Sequence, residues 1–229
     1  MRKVRLSGAE YFIFIMVVIH SIVGIYSFNY NPTFFEAYTS EDGYIENMTA
    51  FSLLLISIFF VFAAARNKGF VRFALAVVAL VFIFGSGEEI SWGQRLFSYQ
   101  TPVELKEVNT QGEFNLHNMK VEGVKLNKLI FSTGMYSAIF IYFLGLPLLY
   151  NYSSAFRNWK FALMPVPKLV WGMLYLFSFM LPLFISHGKA WELQEFTFAI
   201  FLLSSYFYQQ NPKFDEIVAR HKANYSLAG

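Results

Sequence analysis

The sequence predicts an all-α protein: a polytopic membrane helix bundle of six transmembrane helices with both termini in the cytoplasm. Three observations lead there. Only 14% of the 229 residues are charged, against roughly 25% in a soluble domain, and the mean hydropathy is +0.43. Six apolar segments approach the ~20 residues that cross the hydrocarbon of a bilayer. The basic residues gather on alternate connections, as the positive-inside rule requires of a chain that crosses repeatedly.

The first segment, 11–28, follows the basic Met1-Arg-Lys-Val-Arg5 and has the outline of a secretory signal. Its length, and the bulky Ser27-Phe-Asn-Tyr-Asn31 where a small-x-small cleavage site would stand, predict a retained span instead. Segments 48–65 and 193–208 are short and are expected to extend into their flanks. Segment 70–90 ends in two carboxylates. Segments 129–150 and 163–185 carry Pro147, Pro165, Pro167 and Pro182, with Pro182 expected to kink the fifth helix just before His187. All six should be helices, because backbone groups in hydrocarbon must be paired within their own segment. The chain reads as one integral membrane domain, 1–229, with a polar outer loop region at about 87–128 and a short cytoplasmic tail at 209–229.

With the N-terminus inside, the inner side receives Arg2, Lys3, Arg5, Arg66, Lys68, Arg72, Arg157, Lys160, Lys168, Lys213, Arg220 and Lys222. That is twelve of the eighteen basic residues, facing only Glu10, Asp215 and Glu216. The predicted location is a bacterial cytoplasmic membrane. The basic residues sit on membrane-flanking connectors, so nucleic acid is not an expected partner. The absence of cysteine excludes disulfides, thiolate metal sites and a cysteine nucleophile.

The unusual polar residues collect on the outer side. Gly85-Ser-Gly-Glu-Glu-Ile-Ser-Trp-Gly-Gln-Arg95 puts Glu88 and Glu89 where a transmembrane helix ends, at the negative end of its dipole and beside hydrocarbon. If the helix continues past Gly87, then Glu88, Ser91, Trp92 and Arg95 share a face; if it stops at Gly85, both acids are solvated loop residues. Glu113 and His117 are four apart and would share a helical face as paired ligands, although Gly112 and three Asn residues favour a polar loop. His187 follows the fifth segment, and Trp191, Glu192 and Glu195 open the sixth. Glu192 and Glu46 have the ordinary alternative of acids at a helix N-terminus. Asp42-Gly43 reads as a turn, and the lone His20 as a packed or interhelical residue.

The stretches Glu41-Asp-Gly-Tyr-Ile-Glu46, Gly87-Glu-Glu-Ile-Ser-Trp-Gly-Gln-Arg95 and Asn109-Thr-Gln-Gly-Glu-Phe-Asn-Leu-His-Asn118 resemble a family of bacterial integral membrane proteins without a characterised activity. In outline, the acid-rich entry to an early helix and His187-Gly-Lys-Ala-Trp-Glu192 are also similar to the membrane hydrolases that include the alkaline ceramidases and adiponectin receptors. That group has seven helices and three metal-binding histidines, two of them in a His-x-x-x-His on the last helix. This chain departs from it, with Glu192 near the matching position.

The expected function is that of a metal-dependent hydrolase or transferase acting on a membrane lipid or lipid-linked substrate in an outer-face cavity. Glu113, His117 and His187 would hold a divalent metal (zinc, manganese or iron), which lowers the pKa of a bound water. Glu88, Glu89 and Glu195 supply the general base and the remaining ligand. Ser91, Trp92, Gln94, Arg95, Asn109, Gln111, Asn115, Asn118 and Trp191 would bind substrate, with the two tryptophans lining the membrane–water entrance. The alternative is a non-catalytic transporter, or a subunit that binds lipid or a partner through the same cavity. Inner-face polar residues are few, which speaks for a one-sided site.

Overall fold

The computed structural model describes residues 5–41, 43–110, 112–116, 118–121, 124–125, 134–158 and 164–219. Over these the chain is helical apart from a two-residue antiparallel ladder, β1 (Lys120–Val121) with β2 (Val124–Lys125). Helix α1 (Gly8–Tyr30) opens with a capping box: the Glu10 amide donates to Ser7 Oγ at 3.2 Å, and the Ser7 amide donates to Glu10 Oε2 at 2.7 Å. Pro32 ends that run and starts the short α2 (Pro32–Tyr38), capped by Asn31 Oδ1.

The expected Asp42-Gly43 turn precedes α3 (Tyr44–Ala65); Asp42 itself lies outside the described residues. A Cβ on Gly43 would stand 2.6 Å from the Ser40 carbonyl oxygen and 2.9 Å from that of Ala37, so this turn closes only around glycine. As expected, α3 extends into the flank of its apolar core.

Helix α4 (Gly69–Glu89) returns antiparallel along α3. Two serines stitch the pair: Ser57 Oγ donates to the Ala79 carbonyl and Ser86 Oγ to the Ala50 carbonyl, both at 2.8 Å. Beyond it come a 3-10 turn at Ser91–Gly93, α5 (Gln94–Phe97) and α6 (Val103–Val108). The fourth apolar segment is helix α7 (Met135–Phe140), a π-helical stretch at Ile141–Gly145 and α8 (Leu146–Tyr152), with α9 (Ser154–Asn158) following. The fifth is α10 (Leu169–Met180), which tightens into 3-10 geometry at Leu181–Phe184. That change falls at Pro182, whose ring lacks the N–H a continuing α-helix needs. The sixth is α11 (Ala190–Phe207), followed by α12 (Pro212–Ala219).

Helix α3 is central, with 50% of its apolar window buried, whereas α1 and α4 bury 22% and 17% and turn the rest outward. Phe12, Ile22, Phe73 and Leu80 are each more than half exposed. A protein in water does not display such continuous apolar faces. Helices α1, α3 and α4 are long and apolar enough to cross a membrane, and Leu169–Phe184 is a shorter apolar helix. This is a helical membrane protein. Its inner core is aromatic: Phe143 stacks on Tyr175 at 4.2 Å and Trp171 on Phe201 at 4.4 Å. Gly172 brings α10 against the π-helical stretch, because a Cβ there would overlap the Phe143 carbonyl oxygen.

The bundle has an acidic and a basic end. At the basic end Lys168 Nζ reaches the fully buried Glu10 at 2.6 Å, and Asn67 Nδ2 donates to Ala63 and Ile217 carbonyls at 2.8 and 2.9 Å. The bond to Ile217 helps seat α12, whose Phe214 and Ile217 are buried while Asp215 and Glu216 face outward. A cavity of about 230 Å³ lies beneath, lined in part by Phe60, Phe70, Tyr206, Phe214 and Ile217. The start of the predicted tail is therefore packed structure rather than a free polar strand.

Candidate functional site

The acidic end is where α1 and α4 finish and α3 and α11 begin. Helix α4 runs to Glu89, so both acids of the Glu88–Glu89 pair are helical, as the continuing-helix reading required. The shared face with Arg95 does not form. Ser91 and Trp92 turn into the left-handed region (φ 46° and 55°), followed by Gly93 at 77°, and the chain doubles back. Non-glycine residues hold such angles only where their surroundings fix them. Here Tyr99 Oη donates to the Ser91 and Trp92 carbonyls, both at 3.2 Å, and the Trp92 ring meets Phe84 edge-on at 5.6 Å.

The doubled-back segment is a clamp on the 109–118 loop. Glu88, 2% exposed, accepts from Trp92 Nε1 at 2.8 Å and from the Leu116 amide at 2.7 Å. Glu113 accepts from Ser91 Oγ and Asn115 Nδ2, both at 2.9 Å, and is ion-paired with Arg95, which also reaches Glu41 at 3.8 Å. Asn109 Oδ1 accepts from the Glu113 amide, while its Nδ2 donates to the Asn115 carbonyl at 2.9 Å. The Asn118 amide donates to Asn115 Oδ1 at 3.2 Å. Gln94 spans the gap, accepting from the Phe114 amide at 2.7 Å and donating to Thr101 Oγ1 at 2.8 Å. Residues 112–116 are irregular rather than helical. Gln111 and His117 lie outside the described residues.

Ser91, Gln94, Arg95, Asn109 and Asn115, expected to bind substrate, thus spend polar atoms on holding the loop. Asn118 presents its backbone to Asn115 and Thr110. Trp92 is 41% exposed and Trp191 is half-buried at the start of α11.

His187 belongs to another cluster. Its Nδ1 accepts from the Lys189 amide at 3.2 Å, which leaves the proton on Nε2, 3.3 Å from Glu36 Oε1. Its ring packs on Phe35 at 5.5 Å. Lys189 Nζ reaches the other Glu36 oxygen at 2.9 Å. That hydrogen bond, with the lysine's charge behind it, holds the Glu36 carboxyl below its ordinary value. Glu113 and His187, expected to share a metal, have separate partners. Among the described residues no three His, Asp or Glu side chains form a group that could hold a metal ion.

What does converge is a second set of carboxylates. Glu89, at the end of α4, lies within electrostatic reach of Glu195 and Glu192 from α11 and of Glu46 and Glu41 from the entry to α3, with Glu195 its strongest acidic neighbour. Glu46 and Glu192 occupy first helical turns, where the helix dipole compensates a negative charge. Glu89 stands at the opposite, negative pole of α4, and Glu195 is one turn deeper in α11. Among the described residues neither has a side-chain hydrogen bond or ion pair. Beside them Tyr136 Oη donates to Gln194 Oε1 at 3.2 Å, and Gln194 Nε2 donates to the Phe179 carbonyl at 3.2 Å.

His20 is interhelical, as expected. Its Nδ1 is 2.7 Å from the Met16 carbonyl, its Nε2 is 3.2 Å from Tyr44 Oη, and its ring lies against Phe196. It lines an apolar groove of about 470 Å³ with Ile19, Val23, Phe34, Tyr38 and Tyr44. Sequence reading gave Glu36 and Gln194 no role and missed the inward role of Asn109; the available signal for Glu36 was an acid set among the aromatic Phe34, Phe35 and Tyr38.

Comparison with protein-family models, with curated proteins and with solved structures finds no match. The class defined by the fold is a helical membrane protein with carboxylates gathered at one end of the bundle.

Proposed function

We propose that this chain is a multi-pass protein of a bacterial cytoplasmic membrane, with six crossing helices, both termini in the cytoplasm and the acidic end outside, that acts as a hydrolase or transferase on a lipid or lipid-linked substrate. The observation that carries this reading is that Glu89 and Glu195 come within electrostatic reach of each other from two helices, each away from a compensating dipole. Two such carboxylates repel, and a proton or cation held between them relieves the repulsion. A pair that holds one proton can deliver it to a leaving group and take another from water. The His20 groove, whose ring partner Phe196 adjoins Glu195, offers an apolar wall for a chain.

The test is turnover of a bacterial lipid extract by the purified protein in vesicles, with products read by mass spectrometry. Glu89→Gln and Glu195→Gln should each abolish a product that the unaltered protein forms. Product formation undiminished in both variants would reject the assignment. Metal analysis of the same proteins separates two ways of activating water. A stoichiometric divalent metal lost with Glu89→Gln places the water on the metal; full turnover without metal leaves the carboxylates as the base.

A further inference from the structure

We infer that the turn Gln94–Phe97 dips into the membrane, with Leu96 and Phe97 lying in the edge of the bilayer leaflet where α4 ends. The turn is inverted relative to one that faces water. Its polar side chains are engaged by protein: the half-buried Gln94 bonds Phe114 and Thr101, and Arg95, though partly exposed, pairs with the buried Glu113. Its apolar side chains are directed outward, Leu96 at 77% and Phe97 at 73% exposure. Water would favour the opposite arrangement. The inversion is fixed by the backbone, since left-handed residues bound the turn on both sides, Gly93 at 77° and Ser98 at 54°. The Phe97 ring lies so close over Gly93 that a Cβ there would meet it at 3.0 Å.

The surface that covers this pair is lipid, because the apolar strip it ends begins on a membrane-crossing helix. Leu80 and Phe84 face outward on α4, Phe84 touches Trp92, and Leu96 and Phe97 follow one turn later. Trp92 and Tyr99, 41% and 37% exposed, flank the pair with their polar atoms bonded, as residues of a headgroup belt do. The charged Glu104, Lys106 and Glu107 come only with α6, which bounds the dip. The inference needs α4 to cross the membrane and is independent of the chemistry assigned to Glu89 and Glu195.

The chain has no cysteine, so single cysteines at Leu96, Phe97, Leu80 and Glu104 can each carry a spin label in the full protein. In phosphatidylethanolamine–phosphatidylglycerol vesicles, labels at 96 and 97 should collide with oxygen and lose collisions with a water-soluble nickel chelate, as at 80 and unlike 104. Nickel collisions at 96 and 97 matching those at 104 would overturn the inference. So would exclusion of both reagents, which marks burial in protein. Water exposure in purified vesicles with protection only in native membranes would also overturn it and would identify a protein partner instead.

Discussion

Arg95 and Glu113 show how much of the acidic end depends on one pair. Glu113 is 8% exposed and would lose its one cationic partner among the described residues if Arg95 were removed, leaving a carboxylate stranded against Ser91 and Asn115. With the arginine side chain itself 35% exposed, Arg95→Ala should cost about 1–3 kcal/mol, less than a fully buried pair. Thermal unfolding in detergent measures it, and Glu113→Gln combined with Arg95→Ala should cost less than the sum of the two. Glu36 makes a pH-dependent contact of another kind. Its carboxyl is held below 4.5 by Lys189, so the contact is fully present above pH 4.5 and lost as pH falls through the lower folded value. Protease cleavage near Lys189 should rise across that acid interval in the natural chain, and the step should vanish in Glu36→Gln.

Among the elements, the pairing of α10 with the π-helical stretch has the least tolerance. Gly172→Ala would push a methyl group into the Phe143 carbonyl and separate a stack in which Phe143 and Tyr175 rings are 4.2 Å apart. The expected loss is about 3 kcal/mol, read as a lower melting temperature, with Gly188→Ala in open space as the neutral control. The long helices were legible because apolar runs in 48–65 and 70–90 leave the chain little choice of structure. So was the Gly43 turn. Neither α2 nor α12 was, since both are shorter than the run from which periodicity can be read. The π-helical stretch leaves no compositional trace. The motif loop misled because spacing assumes a helix, while left-handed turns at Ser91 and Trp92 send Arg95 to Glu113. Of the expected ligands, Glu113 is paired with Arg95 and His187 with Glu36.

For the whole molecule, the division of charge predicts the direction of insertion. Cysteines at Ser40 and Glu104 should react with an impermeant maleimide on intact cells, and one at Lys68 should react only after lysis. The adjacent Asn67 is unsuitable for a label because its side chain is buried and donates to the Ile217 carbonyl. External reaction at Lys68 would invert the proposed topology and put the carboxylate cluster in the cytoplasm.

The short helix α12 acts as a stopper. Phe214 and Ile217 form part of the wall of the 230 Å³ cavity, and Asn67 and Arg66 grip the carbonyls of Ile217 and Val218 from the turn between α3 and α4. A chain cut at Asn211 would remove part of the wall of that cavity and leave the Asn67 amide with one partner fewer. Affinity tags and fluorescent fusions belong after residue 219, where they can follow the plug without pulling it. A shorter version should be less stable in detergent, a fault that could be mistaken for one of the carboxylate cluster at the far end.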